Sequence, residues 1–96
     1  MMAKEYLLRF AFERRGQIED LLIHARLFHG LALGSGGFEI YEFRAPWNRE
    51  TLPDAHVTIE EDGLFFSDNG GEGVKVFEEL VSDVVRMFGP PKIEEL

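Results

Sequence analysis

Residues 56–88, HVTIEEDGLFFSDNGGEGVKVFEELVSDVVRMF, decide the fold class. Two short β-rich runs, His56–Glu61 and Leu64–Ser67, flank Asp62-Gly63. That dipeptide between alternating apolar residues is the type I′ hairpin signal. Asp68–Gly73 follows as a glycine-rich turn. The spacing then changes to that of a helix. Val74, Phe77, Leu80, Val81, Val84, Val85 and Phe88 share one broad face, and Lys75, Glu78, Glu79, Ser82, Asp83 and Arg86 take the other. Gly89-Pro90-Pro91 stops the helix. A hairpin running through a turn into an amphipathic helix predicts an α+β protein.

Working upstream, Lys4–Glu13 alternates with Tyr6, Leu8, Phe10 and Phe12 on one face, which predicts a half-buried strand. Its other face is Glu5, Leu7, Arg9, Ala11 and Glu13. Gln17–His29 reads as a helix with the stripe Ile18, Leu21, Leu22, Ala25 and Phe28, and with Ile23 and Leu27 on nearly the opposite side. Gly30 and the connector Gly34–Gly37 end it. Phe38–Ala45 reads as a second strand whose apolar residues slip register between Ile40 and Tyr41, implying a bulge or burial on both faces. Pro46 opens a loop, residues 46–54, that carries Trp47. The predicted order is β-α-β-β-β-α: a single domain over residues 1–91, with one mostly antiparallel four-stranded sheet and two helices on one face. If the first two strands are neighbours, their crossover is right-handed. Residues 92–96 form a short tail expected to fray unless Ile93 and Leu96 dock.

The length fits one domain, since the chain has 96 residues. Nine phenylalanines can fill a core of that size without disulfides. The absence of cysteine excludes disulfides, thiolate catalysis and Cys-type metal sites. The net charge is −8, from 10 Lys+Arg against 18 Asp+Glu. It is unevenly placed: seven basic and six acidic residues up to position 49 (net +1), then three basic and twelve acidic (net −9). Phosphate backbones need clustered Lys/Arg, so nucleic acid is not the expected partner. MMAKEYLLRFAFERR does not read as a signal peptide, and no apolar run approaches the ~20 residues of a membrane span. The expectation is a soluble cytoplasmic protein.

Each chemically suggestive cluster has a plain alternative. Asp68–Gly73 lies between strand and helix, where glycine loops cradle phosphate. Asp68 and Glu72 place negative charge there, so the expected role is a tight turn: Asp68 or Asn69 caps the helix and Glu72 matches its dipole. Calcium could use the same oxygens, but EF-hand spacing is absent. His24 and His29, five apart on the predicted helix, point in different directions and do not make a zinc pair. Asp54 and His56 would share a face if the strand began early, which is half of an acid–base site without its nucleophile. Glu60, Glu61, Asp62, Glu78, Glu79 and Asp83 read as a solvated face or an acidic docking surface. Ile23, Leu27 and Trp47 are apolar residues the core does not require; either the Trp47 loop folds over the helix and buries them, or they anchor a partner.

The stretch from Ala45-Pro46 through Asp62-Gly63 to Ser67-Asp68-Asn69-Gly70 resembles a segment of small prokaryotic domains, some phage-borne, in which a proline after a strand leads through a hairpin to an S/T-D-x-G turn. It covers about a quarter of the chain and implies bacterial or phage origin, but no catalytic residue. The leading expectation is therefore a small acidic, non-enzymatic binding protein without cofactor or metal. It acts on a protein partner, basic in character, in an inhibitor, immunity or antitoxin-like role. One alternative is a structural homodimer or complex subunit joined through Ile23, Leu27 and edge strands. The other is a ligand- or Ca²⁺-binding protein or enzyme using Asp54/His56 or Asp68/Glu72.

Overall fold

The alternation at the N-terminus becomes strand β1, Lys4–Arg9. A computed structural model describes residues 3–96. In chain order it continues with α1 (Arg15–Ile23), β2 (Phe28–Leu33), a 3-10 turn (Ser35–Gly37), β3 (Glu39–Phe43), β4 (Ala55–Glu60), β5 (Gly63–Asp68), α2 (Gly73–Phe88) and β6 (Lys92–Glu95). The fold is α+β, as expected. Its sheet has six strands rather than four, ordered β2-β3-β4-β5-β1-β6, with every neighbouring pair antiparallel.

Two elements account for the difference. The helix expected over Gln17–His29 ends at Ile23, and Phe28–Leu33 is β2. Local propensity does not place this end, since the good helix formers Ala25, Arg26 and Leu27 already lie in the turn after α1; pairing of residues 28–33 with β3 does. Burial then alternates strictly, with 28, 30 and 32 half-buried and 29, 31 and 33 exposed. The tail expected to fray is β6, paired with β1 from Arg9↔Lys92 to Tyr6↔Glu95. Leu96 adds a further bond, its N–H donating to the Glu5 carbonyl at 2.8 Å. All four β6 residues are exposed, so backbone pairing and not apolar burial places this strand. The first two strands expected, Lys4–Glu13 and Phe38–Ala45, correspond to β1 and β3, which β4 and β5 separate, so the neighbour condition for a right-handed crossover is not met.

Both helices cover one face. Leu8, Tyr41, Phe43, Val57, Leu64 and Phe66 of the sheet meet Ile18, Leu21 and Leu22 of α1 and Val76, Leu80 and Val84 of α2. Phe77 of α2 packs against Tyr6 and Phe66, with ring centroids 4.4 and 5.1 Å apart. Phe88 meets Phe10 at 5.2 Å. The buried side of α2 differs from the predicted face: Val76 is buried, whereas Val74 and Val85 are exposed. Gly73 enters the helix against the Asp54 carbonyl and the Asp68 carboxylate, where no Cβ fits.

The β4–β5 hairpin is present, but its turn is Glu61-Asp62, with Glu60 opposite Gly63. No non-glycine among the described residues has positive φ, so this is not a type I′ turn. Gly63 begins β5 with φ 153°, and a Cβ there would overlap the Leu8 carbonyl of β1. The slip at Ile40-Tyr41 is not a bulge in β3. Tyr41 is buried under the helices while Ile40 faces the other way, and the register shift lies in β2 between Phe28 and Gly30.

Candidate functional site

Asp54 precedes β4 and is buried. Its Oδ1 accepts the Ala45 N–H at 3.2 Å and the Asn48 side-chain amide, and its Oδ2 accepts the Glu72 N–H at 2.8 Å. Burial by itself would raise the Asp54 carboxyl. The Glu72 N–H, the Asn48 amide and the Ala45 N–H outweigh it and hold the group below its ordinary value. The ionised group ties the 45–48 turn to the entrance of α2, where it also complements the helix dipole. The helix is thus capped from 18 residues away in sequence, not by Asp68 or Asn69. Asp68 Oδ1 instead accepts the Gly70 N–H at 2.9 Å, and the Glu72 carboxylate lies 3.5 Å from Lys75 Nζ.

His56 lies on the opposite side of β4 from the core and does not meet Asp54. The Asn69 amide nitrogen donates to the Pro53 carbonyl at 3.0 Å and lies 3.1 Å from His56 Nδ1. The Pro53 acceptor fixes the amide orientation, so Nδ1 accepts and the neutral ring carries its proton on Nε2. Ser67 Oγ donates to Asn69 Oδ1 at 3.0 Å. Burial lowers the His56 pKa, and the carboxylates of Glu42 and Glu5 pull in the opposite direction.

β1, β3 and β5 each carry an adjacent apolar pair, Leu7-Leu8, Ile40-Tyr41 and Phe65-Phe66. In each, the second residue is buried beneath the helices and the first is half-buried on the uncovered face. The register sets Leu7 beside Phe65 and Phe65 beside Thr58. β3 and β4 pair only from Tyr41↔Val57 to Phe43↔Ala55. Beyond that they part, and a groove of about 520 Å³ opens at the gap, lined by Ile40, His56, Thr58 and Phe65 from the uncovered face and by Phe38, Ile59 and Arg15 of α1 toward the helix side. By strand alternation Glu5, Glu42, Glu60 and Glu94 share this face, against Arg9 and Lys92. The adjacent apolar pairs were the visible signal for this surface, since a strand buried on one face needs only one member of each.

The other expected residues are dispersed. Glu60 ends β4 on the uncovered face, and Glu61 and Asp62 form the hairpin turn, where Asp62 pairs with Arg9 at 3.4 Å. Glu78, Glu79 and Asp83 lie on α2, across the sheet, with Asp83 paired to Arg86 at 3.1 Å. The acidic residues therefore occupy two layers and not one surface. Trp47 is 66% exposed and Ile23 is exposed at the end of α1, whereas Leu27 packs partly on the core. The 46–54 loop does not bury all three. His24 ends α1 and His29 lies on β2, so they do not share a helix. Among the described residues no three His, Asp or Glu side chains converge as metal ligands. None of the described helices is long and apolar enough to cross a membrane. No protein-family model, curated protein or solved structure matches this chain.

Proposed function

We propose that this chain is a binding domain that acts by holding another protein against the uncovered face of its sheet. An inhibitor, immunity or antitoxin-like role is the concrete version. One observation carries the reading: Leu7, Ile40, Thr58 and Phe65 are half-buried on the sheet face opposite the described helices, and the last three line a groove that α1 reaches only through Arg15. Apolar side chains in that setting gain from being covered. Four carboxylates against two cations around the stripe favour a partner segment with apolar side chains flanked by Lys or Arg. The enzyme and ion-binding readings draw less support, because Asp54 and Asp68 are engaged in backbone hydrogen bonds and His56 is held by Asn69. The resemblance of residues 45–70 to small prokaryotic and phage domains is compatible with a binding role.

Photo-crosslinking in extract of the source cells tests this. A photo-reactive residue placed at Thr58 is expected to capture a partner of different mass, and one placed at Glu78 is not. Capture should weaken as ionic strength rises, because the steering charges are exposed. Capture only from position 78, or from neither position, would remove the reading.

A further inference from the structure

We infer that the free edge of β2 pairs with the β2 edge of a second copy, joining two sheets about a two-fold axis. This does not rest on the partner proposed for the uncovered face. Residues 21–38 carry no carboxylate, in a chain with 18 of them and a net charge of −8. That run ends α1 and contains all of β2 and the 3-10 turn. Two such chains repel along most of their surfaces, and this segment is where they can approach with least repulsion.

The two edges of the sheet differ in the same sense. The outer strand β6 reads KIEE, three of its four residues charged, which is how natural edges resist pairing. The outer strand β2 reads FHGLAL, with no Lys, Pro, Asp or Glu. The Gly34 N–H donates to the Phe38 carbonyl at 2.8 Å, which fixes the parity of the ladder. Gly30, Ala32 and Gly34 direct their backbone groups to β3, while Leu31 and Leu33 direct theirs outward. Leu31 is 53% and Leu33 77% exposed. Antiparallel pairing centred on Leu31 satisfies these outward groups and sets each Leu31 side chain beside its copy. A self-complementary strand of this kind suits an isologous, closed dimer.

Light scattering coupled to size-exclusion chromatography tests the inference on the full chain at submillimolar concentration. The expected mass is twice 11.0 kDa. Leu31→Pro removes an outward N–H without touching the ladder to β3, and Leu33→Lys places a charge on an exposed site. Each is expected to weaken association at least about tenfold while circular dichroism stays that of the wild type. Added salt should strengthen this association by screening like charge, opposite in sign to capture of a basic partner. A wild-type mass of one chain at every concentration overturns the inference. So does a dimer that folded Leu31→Pro and Leu33→Lys leave unchanged. Loss of the partner captured at position 58, with the dimer intact, would count against the proposed function alone.

Discussion

Asp54 shows how one side chain can organise two distant turns. It reads as an ordinary loop acid in the sequence, because its partners Ala45, Asn48 and Glu72 lie on both sides of it in the chain. Asp54→Ala leaves two backbone N–H groups and an amide without their acceptor, at a cost of about 3 kcal/mol. Urea unfolding at neutral pH measures this. The pH dependence has a definite sign. The carboxyl is held below its ordinary value in the fold, so its contribution is fully present above the unfolded pKa of about 3.9. It is lost as pH falls through the lower folded value. The difference between wild type and Asp54→Ala should therefore shrink in acid. A constant difference down to strong acid would mean that Asp54 acts by packing and not by charge. The Asp54/His56 pair was a reasonable expectation from spacing. It fails because β4 starts at Ala55, which turns Asp54 inward toward the loop and leaves His56 to Asn69.

At the level of elements, hairpin and second helix were legible because each carries a local rule: two apolar runs around a turn, then a 3.6-residue stripe. The turn itself moved by one residue, and the reason is tertiary. Gly63 lies against β1, where its missing Cβ makes room for the Leu8 carbonyl. Gly63→Ala should cost about 2 kcal/mol or more, because both the left-handed φ and the close approach resist a side chain. Thermal unfolding is the readout, with amide exchange along β1 to show that this strand loosens first. An unaltered melting temperature would contradict the close approach. β2 and β6 were hidden for opposite reasons. β2 is short and begins with residues also compatible with a helix, and β6 presents no apolar face at all.

For the molecule as a whole, the charge imbalance matters more than any single ion pair. The ion pairs among the described residues involve exposed cations, so each is worth little. Net repulsion at −8 should dominate at low ionic strength. Screening it is expected to raise the melting temperature by about 4 °C. Scanning calorimetry at two protein concentrations checks this and separates it from concentration-dependent association of the kind proposed above. A melting temperature that falls with salt would show that networks such as Arg9 with Asp62 and Glu94 outweigh the repulsion. The sequence by itself determined the α+β class, the β4–β5 hairpin, the amphipathic α2 and the identity of most core residues. These follow from periodicity, which acts within one element. The tertiary structure alone decided the strand order, the strand made from residues 92–95, the Asp54 clasp and the uncovered face. Each depends on backbone or side-chain partners many residues away, and no local pattern encodes which distant edge or carbonyl will be there to meet them.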